Sequence, residues 1–230
     1  MEGISQAISK LLRRSGKGRS DKKKQNYSSD LPEGLCRRFS LREIKKATNN
    51  FAADLVIGEW GFGKVYKGFI DDRGISVAIK RWNIRSRQGV HELTNEVVLL
   101  CQIRHPNLIA FIGYCIDEGE GYLVYEFMVN GNLRQHICGT DHDPLPWKQR
   151  LAICIGVARG LHYLHTGLKH TIFHRDVKIS NILLDERWEA KLADFELSRM
   201  GPPSLSKALI RIESHVRGTY GWIRILSISL

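Results

Sequence analysis

Three polar residues in one short stretch have the side-chain types that phosphate chemistry needs. Asp176 is followed by Lys178 two residues later and by Asn181 five residues later, and Asp194 lies beyond the apolar run that comes next. A carboxylate can accept a proton, a lysine can neutralise phosphate charge, and carboxylate and amide oxygens are ligands that Mg²⁺ accepts. The set suits phosphoryl transfer, which depends on positioning and charge neutralisation rather than on a strong covalent nucleophile.

Two stretches earlier in the chain carry further candidates. Lys80 ends an apolar β-type run, where burial of its ammonium is costly unless an anion lies nearby. Glu96 lies at the edge of the apolar stripe of a helical stretch near residues 88–103, so its carboxylate can face that ammonium. A glycine-rich turn at 57–66 (IGEWGFGKVY) allows backbone N–H groups to approach phosphate oxygens. Each feature alone has an ordinary interpretation, as an exposed glutamate or a hairpin turn.

A sheet and several helices would position these residues. Ser40, with Glu43 three residues later, marks the start of a first helix. Short β-type runs separated by Gly- or Asp-rich turns are predicted at Leu55–Ile57, Lys64–Phe69, Ser76–Arg81, Leu108–Ile116 and Tyr122–Tyr125, with the helix near 88–103 between them. A longer helix is predicted at 147–165 from apolar residues that recur with a period near 3.6, namely Leu151, Cys154, Ile155, Ala158, Leu161 and Leu164. A small sheet followed by helices predicts an α+β fold with two lobes and a cleft.

Composition and charge indicate a globular protein and argue against several other classes of protein. The 230 residues are 43% hydrophobic and 26% charged, as expected of a globular chain. The net charge of +11 is concentrated in residues 1–24, which contain eight Lys or Arg and two acidic residues, so a nucleic-acid-binding fold is not expected. Five cysteines without CxxC pairing argue against zinc fingers and a disulfide framework. The sequence shows neither an apolar run of about 18 residues nor a signal-peptide core, which predicts a cytoplasmic location.

Longer stretches of the sequence make the pattern specific. Four motifs occur in the order and approximate spacing of the protein-kinase signature set. They are the glycine-rich turn at 57–66, the run VAIK that ends at Lys80, the loop HRDVKISN that runs from His174 to Asn181, and the pair Asp194 and Phe195. Three further stretches are FSLREIKKATNNF (39–51), LVYEFMVNGNL (123–133) and PWKQRLAICIGVARGLHYLH (146–165). On these residues the chain, from about 36 to 221, resembles the plant receptor-like serine/threonine kinases of the Pelle-related group, and within it the branch with malectin-like ectodomains.

The resemblance divides the chain into four parts. They are a basic flexible tail (1–38), a kinase N-lobe and hinge (39–129), a partial C-lobe (130–221) and an apolar tail unlike the family (222–230). The implied fold has two lobes, with a complete N-lobe and an incomplete C-lobe, because the family's Ala-Pro-Glu anchor and the helices after it are absent. We expect this absence to leave the apolar face of the 147–165 helix partly uncovered, which favours a partner, instability or aggregation.

The resemblance also implies roles for individual residues. Asp176 would take the proton of the substrate hydroxyl, and Lys178 would steady the transferring phosphate. Lys80, paired with Glu96, would contact the α- and β-phosphates of ATP. The implied Mg²⁺ ligands are Asn181 and Asp194. Tyr125 would lie at the back of the nucleotide pocket. The implied contacts to the phosphates, the adenine edge and the faces of the base are Ile57, Gly58, Gly63, Val65, Ala78, Glu126, Met128 and Leu183.

Two residues depart from the family pattern. Trp60 occupies the middle glycine position of the glycine-rich turn, where a side chain hinders backbone approach to phosphate, so we expect weakened nucleotide binding. Glu196 replaces the glycine that follows Asp194 and Phe195, at a position where the family pattern suggests a need for backbone freedom. The sequence leaves three interpretations of its carboxylate open: it binds a metal, it repels the phosphates of the nucleotide, or the substitution has no functional effect.

Two classes of function follow, and a third outcome is an unstable truncated product. The first is a serine/threonine kinase in plant receptor-type signalling, with ATP and Mg²⁺ as cofactors and a protein as substrate. The second is a catalytically inactive, pseudokinase-like binding module that engages a full-length receptor kinase. The basic tail reads either as a solvated disordered segment or as a short helix in weak contact with an anionic membrane surface, which would make the protein peripheral to the plasma membrane.

Overall fold

The computed structural model describes six stretches of the chain, which are residues 36–60, 63–71, 74–83, 87–117, 119–138 and 144–203. They divide into two compact units. The first contains the described residues up to Gln102 together with Phe111–Val124, and the second contains Ile103–Ala110 together with the described residues from Tyr125 onward. Residues 1–35 of the predicted basic tail and the predicted apolar tail at 222–230 lie outside the described residues.

A six-stranded sheet forms the frame of the first unit. Its strands are β1 (Arg37–Arg38), β2 (Val56–Trp60), β3 (Gly63–Ile70), β4 (Ile75–Asn83), β5 (Phe111–Asp117) and β6 (Glu120–Glu126). Their spatial order is β1-β5-β6-β4-β3-β2. Strands β2, β3 and β4 pair antiparallel in sequence order, as short turns permit, whereas β1 pairs in parallel with β5.

Helix α1 (Leu41–Ala47) packs on this sheet and begins at the predicted residue. The Glu43 N–H donates to Ser40 Oγ at 3.2 Å, and the Ser40 N–H donates to the Glu43 carboxylate at 2.7 Å, which completes the capping box. The helix buries Ile44 and Ala47 in an apolar cluster that also contains Phe39, Ile70, Val77, Ile79, Cys115, Tyr122 and Val124. Helix α2 (Arg87–Leu100) is the helix predicted near 88–103, and its apolar stripe is buried at Leu93, Val97 and Leu100.

In the described residues of the second unit there are two α-helices and two strand pairs. The helices are α3 (Leu133–Cys138) and α4 (Trp147–Thr166). The strands are β7 (His170–Phe173), β8 (Ile182–Leu184), β9 (Ala190–Leu192) and β10 (Arg199–Pro203), paired as β8 with β9 and β7 with β10. Among the described residues no helix is both long enough and apolar enough to cross a bilayer.

The helix predicted at 147–165 is α4, and the apolar stripe that predicted it is mostly exposed, as the resemblance led us to expect. Of the six apolar residues in the predicted stripe, only Leu164 is buried, and Leu151 and Ile155 are 48% and 44% exposed. The buried face contains Ile153, Gly156, Val157, Gly160 and Leu164. Its two glycines allow close packing, since an added Cβ at Gly160 would lie 2.8 Å from the carbonyl oxygen of Asn107. Hydrophobic periodicity gives glycine no weight, so the sequence predicted the helix but did not predict which residues form its buried face.

Candidate active site

Asn181 holds the loop that begins at Asp176. Its amide nitrogen donates to the backbone carbonyl of Asp176 at 2.9 Å and to Asp176 Oδ2 at 3.0 Å. Lys178 Nζ donates to the same Oδ2 at 2.7 Å. Asp176 and Asn181 are both buried, so these charge-assisted bonds fix the carboxylate in one orientation.

The β8–β9 hairpin brings the two implied metal ligands to one end of a strand pair. Asn181 ends a short 3-10 turn (Ile179–Asn181) and directly precedes β8. The Ala193 N–H, just past β9, donates to the carbonyl oxygen of Asn181 at 2.8 Å, and Asp194 follows it. Asp194 has a φ of +67°, which turns the chain sharply at this point, and Phe195 after it is buried.

The donor atoms at this end of the hairpin fit Mg²⁺. The Oδ1 of Asn181 is buried and, within the part of the chain that the structure describes, has no hydrogen-bond partner. Because Nδ2 of the same amide is committed to Asp176, Oδ1 is the atom left to bind a ligand. An amide oxygen and the carboxylate of Asp194, the residue after the Ala193 that bonds to Asn181, are the types of oxygen donor that Mg²⁺ takes when it also keeps waters and binds phosphate oxygens.

His174 joins the two halves of this site. Its Nδ1 accepts the Asp176 N–H at 3.3 Å, and its Nε2 lies 3.1 Å from the carbonyl oxygen of Ala193, to which it donates. The ring is buried against Phe195 at a centroid distance of 4.9 Å. Burial lowers the pKa of His174 to about 4, so the neutral ring is the form that bonds to both segments at neutral pH.

Glu126 belongs to the predicted hinge, and hydrogen bonds to its carboxylate hold it in place. Lys191 Nζ donates to both carboxylate oxygens at 2.8 Å, and the Ala110 N–H donates to Oε1 at 2.7 Å. The Glu126 N–H in turn donates to the Ala110 carbonyl at 3.0 Å. The carboxylate therefore fixes the end of β6 against β9 within the second unit.

The segment after the hinge is held on β8. The Asn130 N–H donates to the Leu184 carbonyl at 3.1 Å, and the Leu184 N–H donates to the Gly131 carbonyl at 2.9 Å. Leu183 forms a bridge to Asn132 in the same register. Met128 is buried, and its carbonyl accepts the Gly131 N–H. Main-chain bonds thus bring the predicted adenine-edge segment next to the strand that carries Leu183.

Lys80 and Glu96 are both buried within the first unit. Lys80 lies on β4 opposite Val65 of β3 and is 7% exposed, with Nζ 5.1 Å from the centroid of the Trp82 ring. Glu96 lies on α2 and is 3% exposed. The predicted alternative, an exposed helix glutamate, is therefore wrong. A buried ammonium and a buried carboxylate in one unit are the combination that charge compensation requires.

The glycine-rich turn shows a structural reason for one of its glycines. Gly58 pairs with Val65, and Trp60 pairs with Gly63, across the β2–β3 hairpin. An added Cβ at Gly63 would lie 1.8 Å from the carbonyl oxygen of Arg81 on β4, so β3 and β4 approach too closely there for any side chain. Residues 61–62 and the Trp60 side chain lie outside the described residues, so the expected effect of Trp60 on nucleotide binding stays a prediction.

Glu196 does not require the backbone freedom of glycine in this structure. Positive φ among the described residues occurs at Asp194 but not at Glu196. The Ser198 N–H donates to the Phe195 carbonyl at 2.9 Å, which closes a turn around Glu196, and the glutamate is half-buried. The predicted steric need for glycine at this position is absent from this conformation, and the added carboxylate is the remaining difference.

Comparison with known proteins now identifies the family. Residues 51–218 match the model described as protein tyrosine and serine/threonine kinase. The chain belongs to the protein kinase family. It is 54% identical over 198 residues to the receptor-like protein kinase FERONIA of Arabidopsis thaliana, an alignment that covers 86% of this chain and 22% of FERONIA.

Two further Arabidopsis thaliana relatives agree. This kinase is 52% identical over 198 residues to ANXUR2 and 52% identical over 189 residues to THESEUS 1, which covers 86% and 82% of this chain and 23% and 22% of the relatives. The chain thus spans about a fifth of the length of the curated relatives that it matches. These matches confirm the resemblance to plant receptor-like kinases, its branch, and the α+β kinase-like fold.

The implied site residues of this kinase fall into two groups. Those in the first unit are Ile57, Gly58, Gly63, Val65, Ala78, Lys80 and Glu96. Those in the second unit are Tyr125, Glu126, Met128, Asp176, Lys178, Asn181, Leu183 and Asp194. Within the second unit the structure brings Asp176, Lys178 and Asn181 into direct hydrogen-bond contact.

Sequence reasoning missed two residues that hold the kinase site together. His174 was noted as part of the motif but given no role, and the carboxylate partner of Lys191 was not foreseen. The signal for His174 was its place two residues before Asp176 and directly after the apolar pair Ile172 and Phe173. Lys191 gave no local signal, because its partner Glu126 is 65 positions away in the sequence.

Proposed function

We propose that this chain binds Mg-ATP and transfers the γ-phosphate to a serine or threonine hydroxyl of a protein in plant receptor-type signalling. The observation that carries the proposal is the loop in which Asn181 donates to Asp176 Oδ2 and keeps a buried Oδ1 for a ligand. The family match supports the reaction class. As the kinase part of a receptor-like protein, the chain would act in the cytoplasm.

The loop residues would divide the chemistry between them. Asp176, oriented by the two bonds to its Oδ2, would accept the proton of the attacking hydroxyl. Lys178 already contacts that carboxylate, so its ammonium lies where it would neutralise charge on the transferring phosphoryl group. Asn181 and Asp194 would hold Mg²⁺, which supplies charge neutralisation for the phosphates when it is bound.

The nucleotide would be bound mainly by residues of the first unit and the hinge. Lys80, which Glu96 would orient, would contact the α- and β-phosphates, and the burial of both side chains supports that pairing. Val65, Ala78 and Leu183 would cover the faces of the base. The backbone from Glu126 to Met128, which the Lys191 contact and the bonds to β8 restrain, would present the adenine edge.

A phosphate-transfer assay tests the proposal directly. The full chain is incubated with labelled ATP, Mg²⁺ and a generic serine/threonine protein substrate, and compared with Asp176→Asn. We expect the substitution to lower transfer at least about 100-fold, because it removes the proton acceptor, while stabilisation by Mg-ATP in a thermal shift is retained. Asp117→Asn, an exposed aspartate on β5, is the matched control and keeps the wild-type rate. Equal labelling by wild type and Asp176→Asn would contradict the proposal.

A second candidate is a catalytically inactive binding module that engages a full-length receptor kinase. Trp60 and Glu196, both in place of glycines of the family pattern, favour it. This candidate predicts no transfer by wild type under the conditions of the labelled-phosphate assay. Binding to a full-length relative would then be measured by titration calorimetry.

The basic tail supports one further contact. We propose that its lysines and arginines bind weakly to an anionic membrane surface. Co-sedimentation with phosphatidylserine vesicles should decrease as salt is raised from about 0.05 to 0.5 M, because screening shortens the range of the attraction. Retention that is unchanged at high salt would contradict an electrostatic contact.

A further inference from the structure

We propose that Cys36 and Cys101 form a reversible disulfide when the protein is oxidised by hydrogen peroxide. Their Sγ atoms lie 2.6 Å apart, although the two residues are separated by 65 positions in the sequence. Both residues carry thiols in this structure. A disulfide has a sulfur–sulfur distance of about 2.05 Å, so a small movement of the side chains brings the two atoms to bonding distance.

Backbone pairing fixes the position of Cys36. It directly precedes β1, whose Arg37 and Arg38 pair with Gly113 and Tyr114 of β5. The approach of these strands is close, since an added Cβ at Gly113 would lie 2.1 Å from the Arg37 carbonyl oxygen. The next residue, Phe39, is buried and donates its N–H to the Tyr114 carbonyl at 2.8 Å. Cys36 is therefore held at the edge of the sheet.

The end of a buried helix fixes the position of Cys101. Its N–H donates to the carbonyl of Val97 at 2.9 Å, which continues the hydrogen bonding of α2 by one residue. Val97, Leu100 and Cys101 itself are buried. Two ordered elements thus bring the sulfur atoms together, and the contact does not depend on two mobile side chains meeting.

The proposed oxidation takes place in two steps. The thiolate of Cys36, the more accessible of the two sulfurs, attacks one oxygen of the peroxide, so that an S–O bond forms and the O–O bond breaks. Protonation of the departing oxygen gives water and leaves a sulfenic acid. The thiolate of Cys101 then attacks that sulfur, the S–S bond forms, and the hydroxide that leaves takes up a proton. In total, two thiols and one peroxide give one disulfide and two waters.

The other cysteines have different environments. Burial raises the pKa of the Cys115 thiol to about 11, so little thiolate forms there at neutral pH. Cys138 and Cys154 are exposed on α3 and α4. They remain open to peroxide, and this makes them internal references for the extent of oxidation.

The disulfide would link the start of β1 to the end of α2. Helix α2 also carries Glu96, five residues before Cys101. A covalent tie at this end of the helix restricts its movement relative to the sheet within the first unit. This consequence concerns the mobility of α2 and does not depend on phosphate transfer.

Mass spectrometry of the full chain tests the proposal. The protein is treated with hydrogen peroxide, its remaining thiols are alkylated, and its tryptic peptides are analysed. We expect one linked pair of peptides that contains Cys36 and Cys101, which a dithiol reductant separates. On a non-reducing gel the oxidised chain should run as a monomer. Alkylated thiols at Cys36 and Cys101 in a sample whose Cys138 and Cys154 are oxidised would overturn the proposal, and so would a dimer cross-linked through Cys36 or Cys101.

Thermal unfolding and hydrogen exchange give a second readout. Oxidation should raise Tm by about 5 °C or more, because the bond closes a loop of 65 residues in the unfolded chain. Amide exchange in α2 should slow and recover after reduction. Cys36→Ser should abolish both effects, whereas the matched Cys154→Ser should keep them. If Cys36→Ser rises in Tm with peroxide as much as wild type does, the link is not the cause and the proposal fails.

Discussion

At the scale of single residues, the catalytic loop depends on side chains that the motif places and on others that the fold supplies. Asp176, Lys178 and Asn181 were predicted because their types and spacing match one chemistry, and the structure joins all three by hydrogen bonds. The role of His174 was not predicted, because its second partner, the Ala193 carbonyl, lies 19 residues away. Local spacing predicts neighbours within a loop, but it carries no information about distant backbone groups.

The buried neutral His174 predicts a pH dependence of stability. Its pKa is lowered from 6.5 to about 4 by burial, so below pH 6.5 the unfolded chain binds the proton more readily than the folded one. The stabilisation is complete above about pH 6.5 and is lost as the pH falls towards 4. From this residue alone the free energy of unfolding should fall by about 2 kcal/mol between pH 7.5 and pH 5. Urea unfolding at both pH values measures it.

A matched variant isolates this contribution. His174→Phe removes the titrating group and lowers stability at both pH values, but the difference between pH 7.5 and pH 5 should shrink by about 2 kcal/mol. His162→Phe, on an exposed position of α4, should leave the difference unchanged. An identical pH difference in wild type and His174→Phe would show that other groups cause it.

At the scale of elements, patterns along the chain predicted where strands and helices form better than which face they bury. The Ser40 capping box and the stripe of α2 match the structure, because both rest on interactions within one or two turns. The buried face of α4 was not predicted, because Gly156 and Gly160 belong to it only through the absence of a side chain. Glycine allows close approach, and only the neighbouring element shows where that approach is needed.

The packing of α4 predicts unequal effects of two Gly→Ala substitutions. At Gly160 the new Cβ meets the Asn107 carbonyl oxygen at 2.8 Å and Leu108 Cδ2 at 2.9 Å, and the backbone atom cannot move aside. At Gly156 it meets only the side-chain amide of Asn107, at 2.9 Å, as its closest contact. We expect Gly160→Ala to lower the free energy of unfolding by about 1–3 kcal/mol.

Gly156→Ala should cost less, because its closest contact is a side-chain amide rather than a backbone carbonyl and alanine is the better helix former by about 1 kcal/mol. A part of the cost remains, since moving the amide strains the 3.0 Å bond that Asn107 Nδ2 donates to the Ala190 carbonyl. Urea unfolding of the two variants side by side measures the difference. Equal losses, or a larger loss at Gly156, would mean that the two glycines do not differ in the way their contacts indicate.

The ion pair of Lys191 with Glu126, which joins β9 to β6, predicts a measurable coupling free energy between the two side chains. Lys191 and Glu126 have side chains that are 15% and 29% exposed, and their contact uses both carboxylate oxygens. Lys191→Met should lower the free energy of unfolding by about 1–2 kcal/mol, and a double-mutant cycle with Glu126→Gln should give a coupling near 1 kcal/mol. The pair Lys64 and Glu59, at 3.4 Å and more than half exposed, is the matched control.

For that exposed pair the same cycle should give a coupling of about 0.3 kcal/mol or less, because solvent screens it. Both cycles are measured by urea unfolding in the same buffer. If the Lys191–Glu126 coupling is no larger than that of the exposed pair, the hinge is not fastened by this contact.

At the scale of the whole molecule, the sequence predicted a feature of the protein surface in addition to the active-site residues. The resemblance predicted that the helix at 147–165 would keep an apolar face uncovered. In the structure Trp147, Leu151 and Ile155, spaced four residues apart on α4, are 77%, 48% and 44% exposed. Residues at this spacing share one helix face, so they form a continuous apolar surface rather than scattered contacts.

This face predicts self-association of the full chain. Apolar surface of this kind is removed from water when two molecules meet, and the gain grows with the area covered. Light scattering coupled to size exclusion should show an apparent mass that rises with protein concentration. The double substitution Leu151→Gln with Ile155→Gln should remove that rise, because both side chains are exposed and their replacement leaves the buried face of α4 intact.

The control for this prediction is an equally exposed residue outside the face. Ile75 begins β4 and is 49% exposed, so Ile75→Gln removes from a different part of the molecule an apolar surface similar to that of Leu151 or Ile155 alone. It should leave the concentration dependence as in wild type. If Ile75→Gln lowers the apparent mass as much as the double substitution does, association follows from total apolar surface, and the α4 face has no special part in it. A rise confined to chains with Leu151 and Ile155 intact would instead locate the contact on α4.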